Sequence, residues 1–377
     1  MDILKAVTRD FFKWRYPVVD DNTPYIHSGI KWICAAQDSG SDDGVARDYH
    51  LIKGWRSSYP ETTGYIIPTM FQYYHTYGDE DIRDRALRMA DWLVSIQLPC
   101  GGIQAGTIDD GIDTPTVFNT GQVIMGWARA FDETKNKSYL EALKKAADWL
   151  VDIQSPDGSW CTGKSPCAAF TGNVYYVRVA WALGEAWRLT LSEDYRSACI
   201  KNISWTIKHQ NVCGWFSNNC LSDREYPLLH TIGYAMRGLL EAGLLLDNSA
   251  FITAAKKTAD NLMRNQLSDG SLYGRYDCKW SPNVTYKCLT GIAQTSIVWL
   301  KLYQFLQNKD YLKAVKKANR YLKSTINLDS SNQGIYGGVK GSIPVWAVYG
   351  KYQYLNWAVK FVVDALMLEK TINNQTI

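Results

Sequence analysis

Trp32, Trp92, Trp149 and Trp205 each stand five residues before a glutamine (Gln37, Gln97, Gln154, Gln210), and the frame continues through Asn261 with Gln266 to Tyr321. The steps are 60, 57, 56, 56 and 60 residues. A glycine turn follows most of these glutamines: Asp43-Gly44, Gly101-Gly102, Asp157-Gly158, Cys213-Gly214 and Asp269-Gly270, with Gly334 in the sixth place. Self-similarity at a fixed period marks stacked units, none of which can bury its apolar face alone. Six units of about 57 residues nearly use up the 377 of the chain, so the stack can close into a ring.

Each unit splits into two helical patterns. One is amphipathic, as in Leu140 to Gln154, with apolar residues at i, i+3 and i+4 and lysines opposite. Its counterparts run near 26–37, 82–97, 195–210, 250–266 and 311–325. The other is apolar nearly all round and opens on Thr63-Gly64, Thr120-Gly121, Thr171-Gly172 or Thr290-Gly291, where threonine suits an N-cap. These helices run near 63–78, 118–131, 171–191, 228–245, 288–307 and 356–369. Amphipathic helices outside and apolar ones inside make an all-α, single-domain (α/α)6 toroid over 25–377, with 1–24 as an N-terminal extension packed on the barrel. Links from inner to outer helix are short and charged. Links from outer to inner are long and rich in Tyr, Trp, Asp and Gly, so the functional mouth belongs on their side.

Composition narrows the partners. The net charge of +4 is scattered, with no Lys/Arg cluster to track nucleic acid. The N-terminus MDILKAVTRDFFKW lacks a secretory apolar region, and no 18-residue apolar run offers a membrane span, so the expectation is a cytoplasmic protein. Cys161/Cys167, Cys213/Cys220 and Cys278/Cys288 are close pairs in turns, read as free thiols with disulfides as the alternative. No CxxC occurs, and neither metal nor cofactor is expected. Fifteen Trp and 24 Tyr supply planes on which sugar rings stack. Oligomeric state is left open.

The stretch Gln154-Ser155-Pro156-Asp157-Gly158-Ser159-Trp160 resembles the Q…DGSW turn of α/α-toroid enzymes. These include squalene-type terpenoid cyclases, prenyltransferase β-subunits, and enzymes of acidic polysaccharides: uronate-specific glycoside hydrolases, polysaccharide lyases and glucuronyl C5-epimerases. The resemblance implies the toroid and leaves the reaction open. A cyclase would need a DxDD acid motif, which is absent. Asp109-Asp110-Gly111-Ile112-Asp113 has the letters of a diphosphate-binding DDxxD but lies in a loop. The Cys-His-Gly zinc signature of the prenyltransferase relatives is also absent.

The polar stripes of the inner helices point to an acidic glycan. His230, Tyr234, Arg237 and Glu241 share one helix face, and Tyr175 and Arg178 repeat the Tyr-x-x-Arg unit. Asn119, Gln122 and Arg129, then Gln294 and Lys301, then Asn356, Lys360 and Asp364 mark three more. Internal pairing, Arg237 with Glu241 and Arg178 with Glu185, is the plain structural reading. The functional reading is proton abstraction beside a uronate carboxylate, by a lyase or epimerase. Arg237 or Arg178 would neutralise the carboxylate, and Tyr234 or His230 would move the proton. Glycoside hydrolysis would instead draw two carboxylates from the mouth loops: Glu61, Asp109, Asp113, Glu225 or Asp277. Trp160, Trp215, Tyr273, Trp280 and Trp346 are the expected rim aromatics, and Asn119, Gln122, Tyr175 and Lys360 further substrate contacts. A terpenoid-type enzyme and a non-catalytic glycan-binding toroid remain as alternatives.

Overall fold

The computed structural model describes residues 2–375. Its helices are α1 (Asp2–Phe11), α2 (Thr23–Gln37), α3 (Pro60–Tyr77), α4 (Glu80–Ser95), α5 (Val117–Thr134), α6 (Lys137–Asp152), α7 (Val177–Thr190), α8 (Glu193–Lys208), α9 (Leu229–Leu245), α10 (Ser249–Arg264), α11 (Leu289–Leu306), α12 (Lys309–Lys323) and α13 (Asn356–Gln375). From α2 onward they alternate outer and inner, giving six hairpins in an (α/α)6 toroid. The contrast in burial follows the sequence. Every residue of α11 from Leu289 to Leu300 is buried, whereas α12 buries mainly Tyr311, Ala314, Val315, Ala318 and Leu322 and exposes Lys309, Lys313, Lys316 and Lys317. Asn136, Asn248 and Asn308 cap three outer helices through their side chains.

The recurring glutamine is a staple between units. Gln154 Nε2 donates to Gly158 O within its own turn (3.2 Å) and to Ala198 O of the next outer helix (2.9 Å). Gln97, Gln210 and Gln266 repeat both contacts one or more units away. The glycine is fixed by the same geometry. Gly158 has φ +92°, and a Cβ there would lie 2.4 Å from Lys201 O. The recurring Trp32, Trp92 and Trp205 are core residues.

The Thr-Gly signals are not N-caps. Thr63 and Thr120 sit in the first turn of their helices, where their hydroxyls accept Val45 N–H (3.0 Å) and Ile103 N–H (2.9 Å). They clamp the preceding loop to the inner helix. The glycine beside each lets inner helices touch: a Cβ on Gly64 would fall 2.6 Å from Val123 Cα. At Thr171-Gly172 no helix begins; a short 3₁₀ turn at Val174–Tyr176 precedes α7.

The ring closes. Tyr65 of α3 stacks on Phe361 of α13 (5.6 Å between centroids), and Thr69 donates to Asp364 (2.7 Å). On the loop side, strands β1 (Asp48–His50), β2 (Gly54–Trp55) and β5 (Gln353–Leu355) join the first and sixth loops, with Asp48 opposite Leu355. The remaining strands, β3 (Lys287–Cys288) and β4 (Ser342–Ile343), pair the fifth loop with the sixth. The N-terminal helix α1 lies on that sixth loop. Its Asp10 is buried against Lys340 Nζ (2.7 Å) and Val345 N–H (2.8 Å). All nine cysteines are free thiols, three of them buried. Among the described residues, no helix is long and apolar enough to cross a membrane.

Candidate active site

Five of the six long loops border a cavity of about 360 Å³ at the N-terminal ends of the inner helices, on the side the loop lengths indicate; the fifth, between α10 and α11, places no described residue in its lining. Arg47 and Asp110 reach it from the first two loops, Tyr59 and Glu61 from the start of α3, Phe118 from α5 and Tyr175 from the turn before α7. His230 and Tyr234 come from α9, Tyr349 from the sixth loop and Trp357 from α13.

Glu61 lies in the first turn of α3, behind Pro60, and is 9% exposed. Burial raises its pKa to about 7, against the opposing pull of the Tyr59 hydroxyl, which donates to Oε2 (2.5 Å), and of Arg178. The second carboxylate of the cavity is in the opposite state. Asp110 ends a 3₁₀ turn at Ile108–Asp110, and its Oδ2 accepts Thr107 N–H (2.6 Å). That backbone bond lowers its pKa, so it stays ionised. One cavity thus holds one carboxyl that keeps its proton to near neutrality and one that gives it up early.

His230 is neutral because burial, then Arg178, push its pKa down to about 3. Its Nδ1 pairs with Gln294 Nε2 at 2.8 Å, and an amide N–H can only donate there, so the ring proton belongs on Nε2. His230 is therefore arranged as a donor. Tyr234 packs on it (4.3 Å between centroids) and contacts Tyr65 Oη at 3.4 Å. Burial and Glu61 raise the Tyr234 pKa, which disfavours the phenolate a base would need. The Tyr175 hydroxyl is buried beside Tyr176, whose ring lies 4.9 Å from its own. Trp357 Nε1 donates to Tyr349 Oη (2.8 Å), fixing an aromatic wall.

Of the residues singled out in the sequence, His230, Tyr234, Tyr175 and Glu61 meet in this cavity. Arg237 and Lys360 do not. They face a second chamber at the other end of the lumen, paired with Glu241 and Asp364, and Arg178 is turned the same way. Arg237 shares a face with His230 but lies two turns on, about 10 Å along the helix. The plain pairing reading thus holds for Arg237 but not for Arg178, since Glu185 binds Arg188 instead.

Asn119 and Gln122 are inside the wall, donating to Gln104 O and accepting from Arg178 Nε, respectively. Trp160 and Trp280 are buried and donate to Leu150 O and Cys213 O, bracing loops where a rim was expected. Trp215 does the same through Tyr276 O, Tyr273 packs under Lys287, and Trp346 is half-buried away from the cavity. Asp109, Asp113 and Glu225 are exposed outside the lining, Asp109 accepting from Ser57. Asp277 holds its own turn, accepting Lys279 N–H and Ser281 N–H. Arg47, Tyr59, Asp110, Tyr349 and Trp357 were not anticipated. Asp110, itself exposed, was visible as the middle of an Asp-Asp-Gly run, but nothing in the letters says which of three neighbouring aspartates a 3₁₀ turn brings to the edge of the cavity.

No family model and no curated protein matches the chain. Solved structures do. An unsaturated glucuronyl hydrolase specific for heparin is 17% identical, with a TM-score of 0.73 over 93% of this chain and 97% of that one. The unsaturated glucuronyl hydrolase of Bacillus sp. GL1, responsible for degradation of glycosaminoglycan, is 14% identical, with a TM-score of 0.71 over 92% and 96%. The enzyme of Streptococcus agalactiae is 12% identical, with a TM-score of 0.68 over 96% and 94%, and a variant of it has been solved with dGlcA-GalNAc6S. At these identities the likeness establishes the fold: the chain is an (α/α)6 toroid matched from end to end.

Proposed function

We propose that this chain is a glycoside hydrolase acting on an anionic, uronic-acid-containing oligo- or polysaccharide, with Glu61 as general acid and Asp110 as its ionised partner. The observation that carries this reading is the opposite shift of two carboxyls facing one cavity, the division of labour glycosidases require. Glu61, protonated below about pH 7, delivers a proton to the departing glycosidic oxygen. Asp110 activates water or stabilises positive charge on the sugar. Trp357 and Tyr349 offer the ring a plane and the His230 N–H a donor, and Arg47, ion-paired with the buried Asp48 (2.7 Å), stands beside Asp110. The substrates named for the structural neighbours, unsaturated glucuronyl glycans, are of the same class.

Proton abstraction loses its support because Arg237 is absent from the cavity, burial and Glu61 make the Tyr234 phenol hold its proton, and His230 is arranged as a donor. The test is turnover of unsaturated and saturated glucuronyl disaccharides by the wild type, Glu61→Gln and Asp110→Asn. Loss of roughly 10² to 10⁴ in kcat for both variants is expected. Undiminished turnover in either would defeat the assignment.

A further inference from the structure

Beyond the layer formed by Tyr65, Tyr234 and Phe361, the lumen opens again into a chamber of about 350 Å³ on the side of the short links. Five inner helices place a cation on its wall: Arg129, Arg178, Arg237, Lys301 and Lys360. Three carboxylates answer them. Glu133 binds Arg129 (2.6 Å), Glu241 binds both Arg237 and Lys301, and Asp364 binds Lys360. Five cations against three carboxylates leave two positive charges over.

Part of the surplus sits at Arg178. It is 2% exposed and has no carboxylate in contact. Its Nε donates to Gln122 Oε1 (2.5 Å), and its Nη1 has no partner among the described residues. Tyr65, Trp181, Tyr234 and Phe361 surround its Cζ at 5.1 to 5.5 Å from their ring centroids. Such faces offset part of the cost of a buried cation but do not neutralise it. The inner helices also point their C-termini toward this end, which favours cations, yet that field fades within one turn. Arg178 and Lys360 are the second and fifth residues of α7 and α13, at the opposite ends of those helices.

We infer that this rear chamber is a binding site for a divalent oxyanion of the phosphate or sulfate class, free or as a small monoester, contacted by Arg178, Arg237, Lys301 and Lys360. Two negative charges match the surplus, and guanidinium forks suit tetrahedral oxyanions. The volume leaves room for a substituent or for water. The aromatic layer separates this site from the mouth, so the inference stands or falls independently of the hydrolase reading.

The experiment is calorimetric titration of the full chain at pH 7 with sodium phosphate, sodium sulfate and glucose 1-phosphate, against sodium chloride at matched ionic strength. One saturable site for an oxyanion, absent with chloride, is expected. Lys301→Met should weaken it roughly tenfold or more, and so should Arg237→Met. Glu241 keeps one cation in either variant, so neither leaves it unpaired, and if one fails to fold the other carries the test. Glu225→Gln, exposed on the fourth loop and in the lining of neither chamber, should leave the affinity unchanged. Binding of phosphate or sulfate but not glucose 1-phosphate would assign the free ion, and binding of all three the wider class. No saturable binding to the wild type, or the same affinity in the folded Met variants, would overturn the inference.

Discussion

Glu61 and Glu241 are the same residue, both 9% exposed, at opposite ends of one lumen, yet burial raises the first to a pKa of about 7 while the second lies at about 2. Desolvation pushes both up. At Glu241 the cations Arg237 and Lys301 reverse it, whereas Glu61 has only a tyrosine hydroxyl and the more distant Arg178. Burial alone therefore does not make a catalytic acid; burial without a paired cation does. The mouth holds a carboxyl able to exchange a proton near neutrality, and the rear holds one, Glu241, locked as an anion.

The largest test of this contrast is a crossed substitution. Glu61→Gln should cost roughly 10² to 10⁴ in kcat with no loss of stability, since an amide oxygen can still accept the Tyr59 hydroxyl. Glu241→Gln should do the opposite. It strands Arg237 and Lys301, and about 3 kcal/mol of unfolding free energy should go, with kcat kept within a few-fold in the folded protein. Turnover kinetics and urea unfolding on both variants would decide. A stable, inactive Glu241→Gln would break the comparison.

A smaller effect follows from the sign of the shifts. Glu61 binds its proton more tightly folded than unfolded, so its ionisation opposes folding. The cost is absent below about pH 4.5 and complete above about pH 7. Between pH 5 and 8 it amounts to roughly 2 to 3 kcal/mol, and Glu61→Gln should remove that slope from the urea-unfolding profile. Glu241 is depressed, so its contribution is present above about pH 4.5 and is lost as pH falls toward 2. Activity carried by protonated Glu61 should likewise decline above about pH 7.

The two ends were not equally legible in the sequence. The toroid was, because its staples repeat: Gln154 and Gly158 recur with the period and make the same contacts from unit to unit. The polar stripes of the inner helices were also read as lumenal. A helical face gives direction without depth, however, and an aromatic layer divides His230 from Arg237 along one stripe. The carboxylates of the mouth were harder still. Glu61 starts a helix and could be placed, but Asp110 depends on the capping of a single 3₁₀ turn by Thr107, and loops have no period to read. Trp160 and Trp280 misled for a related reason. A tryptophan in a loop can face a ligand or lock the loop, and its N–H partners here, Leu150 O and Cys213 O, are contacts that only the fold supplies.

The smallest expected effect concerns the layer between the two chambers. Tyr234 touches both: its ring packs on His230 above, and Arg178 lies 5.1 Å from its centroid below. Among the described residues its hydroxyl meets only Tyr65 Oη, at 3.4 Å, a weak contact for two O–H groups. Tyr234→Phe keeps the plane and removes that contact, so stability should change by about 1 kcal/mol or less. If Tyr234 carried a proton to or from the sugar, kcat would fall by roughly 10² or more. If the layer serves only to separate an acid from a cluster of cations, kcat should stay within a few-fold and the alkaline limb near pH 7 should not move. A large fall in kcat with an unchanged KM would return Tyr234 to the chemistry and make the wall between the chambers part of the active site.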